Sequence, residues 1–272
     1  MPIVYACAAS HAPGLTAWRE AAAPEQLAKV TGAFEHLRVG LEAARPDRIV
    51  LLTSEHWTNF FYDHVGAVCF GRADFYEGPV EPWLKIPRHR VPGDAALSLR
   101  LLEHCYENGF EPSHAQELKF DHGSMVPLSF LTPAFNTPVV PILFNTLAAP
   151  RCPPRRCLQL GEVLGPMLDA APERIAVVAT GGMSHDPGER NHGFIDTGFD
   201  HAFMTAMMTG DLGAIGAYTD AQILAAGAGA MELLAWVCLA GIMRNRLPNY
   251  SSYEPVTPWA TGIGHLRYDL AA

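Results

Sequence analysis

Ile3-Val4-Tyr5-Ala6-Cys7-Ala8-Ala9 is an unbroken apolar run that ends at Ser10-His11, and Ile49-Val50-Leu51-Leu52 is a second run that leads to His56. Runs that are apolar at every position, rather than at every other one, are the mark of strands covered on both faces. Between them Leu27, Val30, Phe34, Leu37 and Leu41 recur at helical spacing, and Pro24 sits where a first helical turn tolerates it. The spacing predicts a strand, a helix from about Pro24 to Ala44 closed by Arg45-Pro46-Asp47, and a second strand. A right-handed crossover of that kind brings the carboxyl ends of both strands to one edge of a sheet, and with them both histidines.

The remainder of the chain repeats the alternation. Helical spacing is predicted over 94–108, where Gly109 supplies a stop, and over 125–131, 155–168, 200–209 and 211–216. A longer helix is predicted over 220–245, broken near Gly227 and Gly229. Strands are predicted over 138–144, whose prolines suggest an end or an edge, and over 174–179. The latter runs straight into Thr180-Gly181-Gly182-Met183-Ser184-His185-Asp186-Pro187, a polar cluster leaving the end of an apolar strand. Residues 59–93 are rich in aromatics and turn residues, a pattern that fits a pocket wall and an ordered surface excursion equally. The expectation is one α/β domain over 1–272, with a central mixed sheet flanked by helices.

Composition narrows the function classes. The chain has 272 residues, 49% of them hydrophobic, and 19 basic against 28 acidic side chains give a formal net charge of −9. No basic block stands out, which argues against a nucleic-acid partner. Six dispersed cysteines form no paired zinc framework, and with no signal peptide in view they read as reduced residues of a cytoplasmic protein. Cys152 and Cys157, flanking Pro153-Pro154-Arg155-Arg156, are the one local pair that could bind a metal or form a disulfide. Residues 223–243 are long enough to cross a membrane, but Glu232 lies at their centre, where an acid costs about 3 kcal/mol in hydrocarbon. Burial within a folded domain is the cheaper outcome, so no membrane partner is expected.

Glu232 is also the sole carboxylate between Ala221 and Gly241. With His11 and His56 it makes two imidazoles and one carboxylate, a donor set that leaves half of an octahedral Fe(II) open to oxygen and a chelating substrate. The same donors can hold zinc and activate water, and all three can equally serve a buried hydrogen-bond network in a noncatalytic subunit. The residues alone leave these readings open. Of the remaining histidines, His185 gains weight from its strand-end position, whereas His89, His104, His114, His192, His201 and His265 do not.

Five motifs in order, Ser10-His11-Ala12-Pro13-Gly14, Glu55-His56-Trp57-Thr58-Asn59-Phe60-Phe61, Asp121-His122-Gly123, Gly181-Gly182-Met183-Ser184-His185 and Gly229-Ala230-Met231-Glu232, resemble those of the class III extradiol ring-cleavage dioxygenases, the family of the protocatechuate 4,5-dioxygenase β subunit. The resemblance spans nearly the whole chain, including Trp83-Leu84-Lys85-Ile86-Pro87 and Val91-Pro92-Gly93-Asp94. It implies that His11, His56 and Glu232 ligate Fe(II), that His185 is the acid–base residue, and that His122 is a further pocket histidine touching substrate. The implied reaction is meta-cleavage of a substituted catechol with O2, with a 2-aminophenol or a 2-aminobiphenyl-2,3-diol as alternative substrate classes. A small α subunit or a homo-oligomer is the implied assembly. Glu55 departs from the aspartate or asparagine common in relatives, which points to altered hydrogen bonding around His56. Trp57, Phe60, Phe61 and Trp83 are the aromatic residues suited to the substrate wall.

Overall fold

The computed structural model describes residues 2–188 and 191–270; Met1, Glu189, Arg190, Ala271 and Ala272, the remainder of the expected 1–272 domain, lie outside the described residues. In chain order the elements are β1 (Ile3–Ser10), α1 (Gly14–Ala17), α2 (Pro24–Ala44), β2 (Arg48–Ser54), β3 (Val68–Gly71), β4 (Phe75–Gly78), β5 (His89–Pro92), α3 (Ala95–Glu107), β6 (Ser113–Ala115) and α4 (His122–Leu131). They continue with β7 (Val139–Phe144), α5 (Pro154–Asp169), β8 (Ile175–Gly181), α6 (Thr197–Thr209), α7 (Leu212–Ala217), α8 (Asp220–Ala225), α9 (Leu234–Met243), β9 (Tyr250–Val256) and β10 (Thr261–Tyr268).

Eight strands form one mixed sheet in the order β6-β3-β7-β2-β8-β1-β10-β9, and β4 and β5 form a separate ribbon. The central four, β7, β2, β8 and β1, run parallel; β3 and β10 join them antiparallel. Along the central strands alternate side chains enter different cores. Ala6, Ala8, Val50, Leu52, Val177 and Ala179 pack under α3, α5, α6 and α9, whereas Tyr5, Cys7, Ile49, Leu51, Ala176 and Val178 pack under α2 and α4. That two-sided burial is why these strands read as continuous apolar runs.

One expectation needs correction and two are refined. The β1–α2–β2 crossover exists and brings both strand ends to one edge, with β8 inserted between β1 and β2. β7 is an interior strand despite Pro141; its antiparallel ladder with β3 stops at Ile142, so no β3 partner is lost at the proline. The 220–245 segment breaks at Gly227 as expected, into α8, a 3₁₀ turn over Ala228–Leu233 and α9, with every residue of α9 buried. The β9–β10 hairpin lacks an apolar run in the sequence because β9 is half-exposed and β10 carries Gly262 and Gly264, where β-carbons would crowd Met183 and Trp236. Among the described residues no helix is long and apolar enough to cross a membrane. All six cysteines are free, and the Cys157 thiol donates to the Cys152 carbonyl rather than bonding to its sulfur.

Helices α5 and α9 approach backbone to backbone. A methyl on Gly161 would strike the Cys238 carbonyl, and one on Gly241 the Leu158 carbonyl. Neither obstacle can swing aside as a side chain would. Gly161→Ala is therefore expected to destabilise the protein by about 1–3 kcal/mol, lowering the thermal midpoint by roughly 2–4 °C per kcal/mol. Gly32→Ala in α2, where an added methyl meets nothing, should instead stabilise by about 0.5–1 kcal/mol. Paired thermal melts of the two variants check both signs.

Candidate active site

The carboxyl ends of β1, β8, β2 and β7 lie in register, with Ser10 beside Gly181 and Ser54 beside Phe144. His11 and His56 follow two of those ends directly, and His185 follows a third after a short turn. Helix α4 brings His122 to the same edge, and the 3₁₀ turn ahead of α9 brings Glu232. All five side chains line one cavity of about 460 Å³.

Glu232 is the hub. Its Oε2 lies 2.9 Å from His11 Nε2, and its Oε1 lies 3.3 Å from His56 Nε2 and 3.6 Å from His185 Nε2. Oε2 also accepts the Gly182 backbone N–H. The group is nearly sealed from solvent, with His11 2% and Glu232 5% exposed. His11, His56 and His122 each offer a nitrogen within 4.8 Å of the others, as do Glu81, Asp121 and His122 with one donor atom apiece.

The opposite ring nitrogens are all committed. His11 Nδ1 is 3.1 Å from the Thr180 hydroxyl, which in turn lies 3.0 Å from the Gly123 carbonyl. His56 Nδ1 is 3.0 Å from Asp121 Oδ2, and His185 Nδ1 donates to the Met183 carbonyl at 2.8 Å. Such partners fix each ring's orientation and favour the Nδ1–H tautomer, leaving the Nε2 lone pairs to the site.

Electrostatics follow from burial and charge together. Burial holds His11 below the ordinary histidine range against the pull of Glu232, so its imidazole is neutral. Burial also works against a charge on His56, but Asp121 and Glu232 outweigh it and raise that ring well above the ordinary value. Glu232 is desolvated too, yet the imidazoles of His11 and His185 keep it ionised well below the usual carboxylate range. An anionic carboxylate therefore sits between a neutral His11 and a His56 ring drawn toward its charged form.

A metal ion fits this arrangement better than hydrogen bonding does. His11 Nε2 is buried and, although close to Glu232, makes no hydrogen bond of acceptable geometry. An unpartnered buried nitrogen carries a desolvation cost that coordination would remove. Two imidazoles and a carboxylate, with a cavity on one side, match a non-haem metal site that keeps open positions.

Glycines set the close geometry. A β-carbon on Gly182 or on Gly229 would run into the His185 ring, so only a bare backbone on both sides leaves room for it. The Ser184 N–H and hydroxyl both reach Asp200, which also accepts the Tyr253 hydroxyl at 2.6 Å. That buried carboxylate anchors the turn carrying His185.

Several residues with evident roles here carried no assigned role in the sequence. Asp121 stood beside His122 in a motif, but only the fold reveals that it bonds His56, and Thr180 and Glu81 are comparable. The aromatic wall also differs. Trp18 and Trp259 line the cavity, along with Pro13, Pro187, Pro258 and His192. Trp57 and Phe60 line a separate small crevice, Phe61 is 54% exposed, and Trp83 stacks on Trp18 at 5.3 Å. Glu55 accepts the backbone N–H groups of Thr58 and Asn59, so its effect is to fix the turn after β2. His265 is buried in β10 against Phe34, away from the cavity lining.

Comparison with known proteins places the chain in a family. The family described as "Catalytic LigB subunit of aromatic ring-opening dioxygenase" matches residues 5–264. A protein of Cupriavidus necator described as 2,3-dihydroxyphenylpropionate/2,3-dihydroxicinnamic acid 1,2-dioxygenase is 27% identical over 320 aligned residues, covering 100% of both chains. One of the same description from Mycolicibacterium smegmatis is 32% identical over 195 residues, 69% of this chain and 58% of that one. The crystal structure of an uncharacterized Escherichia coli K12 protein shares the fold, with a TM-score of 0.58 at 17% identity over 97% of this chain and 99% of that one. Matched along almost its whole length, the chain belongs to the LigB-like family of extradiol ring-cleavage dioxygenases.

Proposed function

We propose that residues 1–272 form a catalytic domain that opens the ring of a substituted catechol by extradiol cleavage with O2, with His11, His56 and Glu232 holding Fe(II). One observation carries this reading: three donors far apart in sequence meet on the floor of a cavity large enough for an aromatic ring, with one face of the cluster open to it. Bound Fe(II) would supply the electron exchange that a closed-shell aromatic needs to react with triplet dioxygen.

The chain's own residues do the rest. Trp18, Trp259 and the prolines give the cavity a largely apolar lining that suits a flat ring. His185 is held with its bare Nε2 toward the cluster, the form that accepts a phenolic proton and later returns it. Gly182 and Gly229 leave that ring a single seat, so the proton moves at a fixed position. His122 enters from α4, its ring 4.1 Å from that of His56, and offers a second polar contact to the substrate.

Anaerobic loading with Fe(II), followed by air and a panel of protocatechuate, gallate, dihydroxyphenylpropionate, dihydroxybiphenyl and 2-aminophenol, tests the reading. A yellow ring-opened product containing both atoms of ¹⁸O2 is expected. Zinc-dependent turnover without oxygen uptake, or no ring opening across the panel, would overturn it.

Variants separate the roles. Glu232→Ala should lose bound iron, measured by metal analysis after desalting, whereas His185→Gln should keep its iron and lose roughly 10²–10⁴-fold in kcat. Asp121→Asn keeps the shape beside His56 but removes the charge; iron affinity should fall by about 10–100-fold, read by competition with a chelator.

A further inference from the structure

We propose that Glu81 is a positioning residue for His122, holding that imidazole in one tautomer and one orientation at the cavity. The inference rests on the proposed ring-opening function for its kinetic arm only.

Glu81 Oε1 lies 2.7 Å from His122 Nδ1 and accepts the His122 backbone N–H at 3.0 Å. An ionised carboxylate has no hydrogen to give, so the hydrogen of the short contact sits on Nδ1. Nε2 is then a bare acceptor, left to the cavity that the ring lines. Both side chains are mostly buried, at 14% and 17% exposed, so water competes poorly for either group. A carboxylate behind an imidazole sets its tautomer and direction in the same way that Asp121 sets those of His56.

The backbone delivers Glu81 to this place deliberately. The aromatic, turn-rich stretch after β2 contains the β4–β5 ribbon, and β4 is fastened to the segment just before α4. The Phe120 N–H donates to the Glu77 carbonyl at 2.8 Å, and the Val80 N–H donates to the Phe120 carbonyl at 3.0 Å. At Gly78, between those bonds, a β-carbon would come within 2.6 Å of the Phe120 carbonyl, so a side chain there would push the two segments apart. Glu81 is the next residue after Val80, two positions before Trp83, whose ring lies 6.4 Å from that of His122 and stacks on Trp18 of the cavity wall. The excursion is thus tied to the site through a carboxylate as well as through its aromatic side chain.

The test compares Glu81→Ala with Glu81→Gln, whose amide oxygen can still accept from Nδ1. ¹⁵N-histidine spectra of the metal-free proteins, with His122 assigned by its loss in His122→Asn, read the tautomer without any turnover. Wild type and Glu81→Gln should show the Nδ1–H form, and Glu81→Ala a mixture. In iron-loaded protein, Glu81→Ala should lose about tenfold in kcat with KM and bound iron changed less than about twofold, and Glu81→Gln should recover most of the rate. A wild-type tautomer and kcat in Glu81→Ala would overturn the proposal. So would equal losses in both variants accompanied by a lower melting temperature or lower iron content, which mark a purely structural contact. A wild-type protein that opens no ring defeats the proposed function instead, and the spectra still decide for or against Glu81.

Discussion

A carboxylate buried at the carboxyl edge of a sheet is costly unless something charged or hydrogen-bonding meets it, and Glu232 is such a group. Its companions are three imidazoles and one backbone N–H, supplied by the ends of β1, β2 and β8. None of these partners is local in sequence. The cluster therefore exists only if the central parallel strands finish at one edge and the 3₁₀ turn before α9 is brought against them. The fold can be understood as the means of meeting that condition.

Two devices bring Glu232 into place. The glycine-mediated contact between α5 and α9 sets the depth of α9 against the sheet, and with it the position of the preceding turn. The loop carrying His185 is stitched to that turn from both sides, since Asp186 accepts the Ala228 N–H and the His185 carbonyl accepts that of Gly229. His185 and Glu232 are thus held as one unit, and small residues at Gly182 and Gly229 let them approach. Precision of this kind, beside a cavity lined by tryptophan and proline, is what separates a set of plausible ligands from a site able to hold an ion and a substrate together.

Much of this was legible in residue order. The apolar runs marked the central strands because two-sided burial removes alternation, and His11, His56 and His185 stood out because each followed such a run. The edges were less legible. β9 and β10 pair through backbone while showing half-exposed and glycine-containing sequence, so their partners rather than their own side chains make them strands. The aromatic wall was misassigned for a related reason: Trp57, Phe60 and Phe61 lie next to His56 in the chain, but the turn fixed by Glu55 carries them away from the cavity, and Trp18 and Trp259 fill the place.

The sequence by itself determined the fold class, through strand periodicity, and the resemblance to the family, through the order of its motifs; that resemblance named His11, His56 and Glu232 as candidate ligands and His185 and His122 as candidate pocket residues. The tertiary structure alone decided the strand order that inserts β8 between β1 and β2, and the partners that orient each ring, Asp121, Thr180, Met183 and Glu81. Those partners are ordinary residues whose meaning is a distance to another chain segment. Distance of that kind arises only when the sheet and its helices close, which no single stretch of residues records.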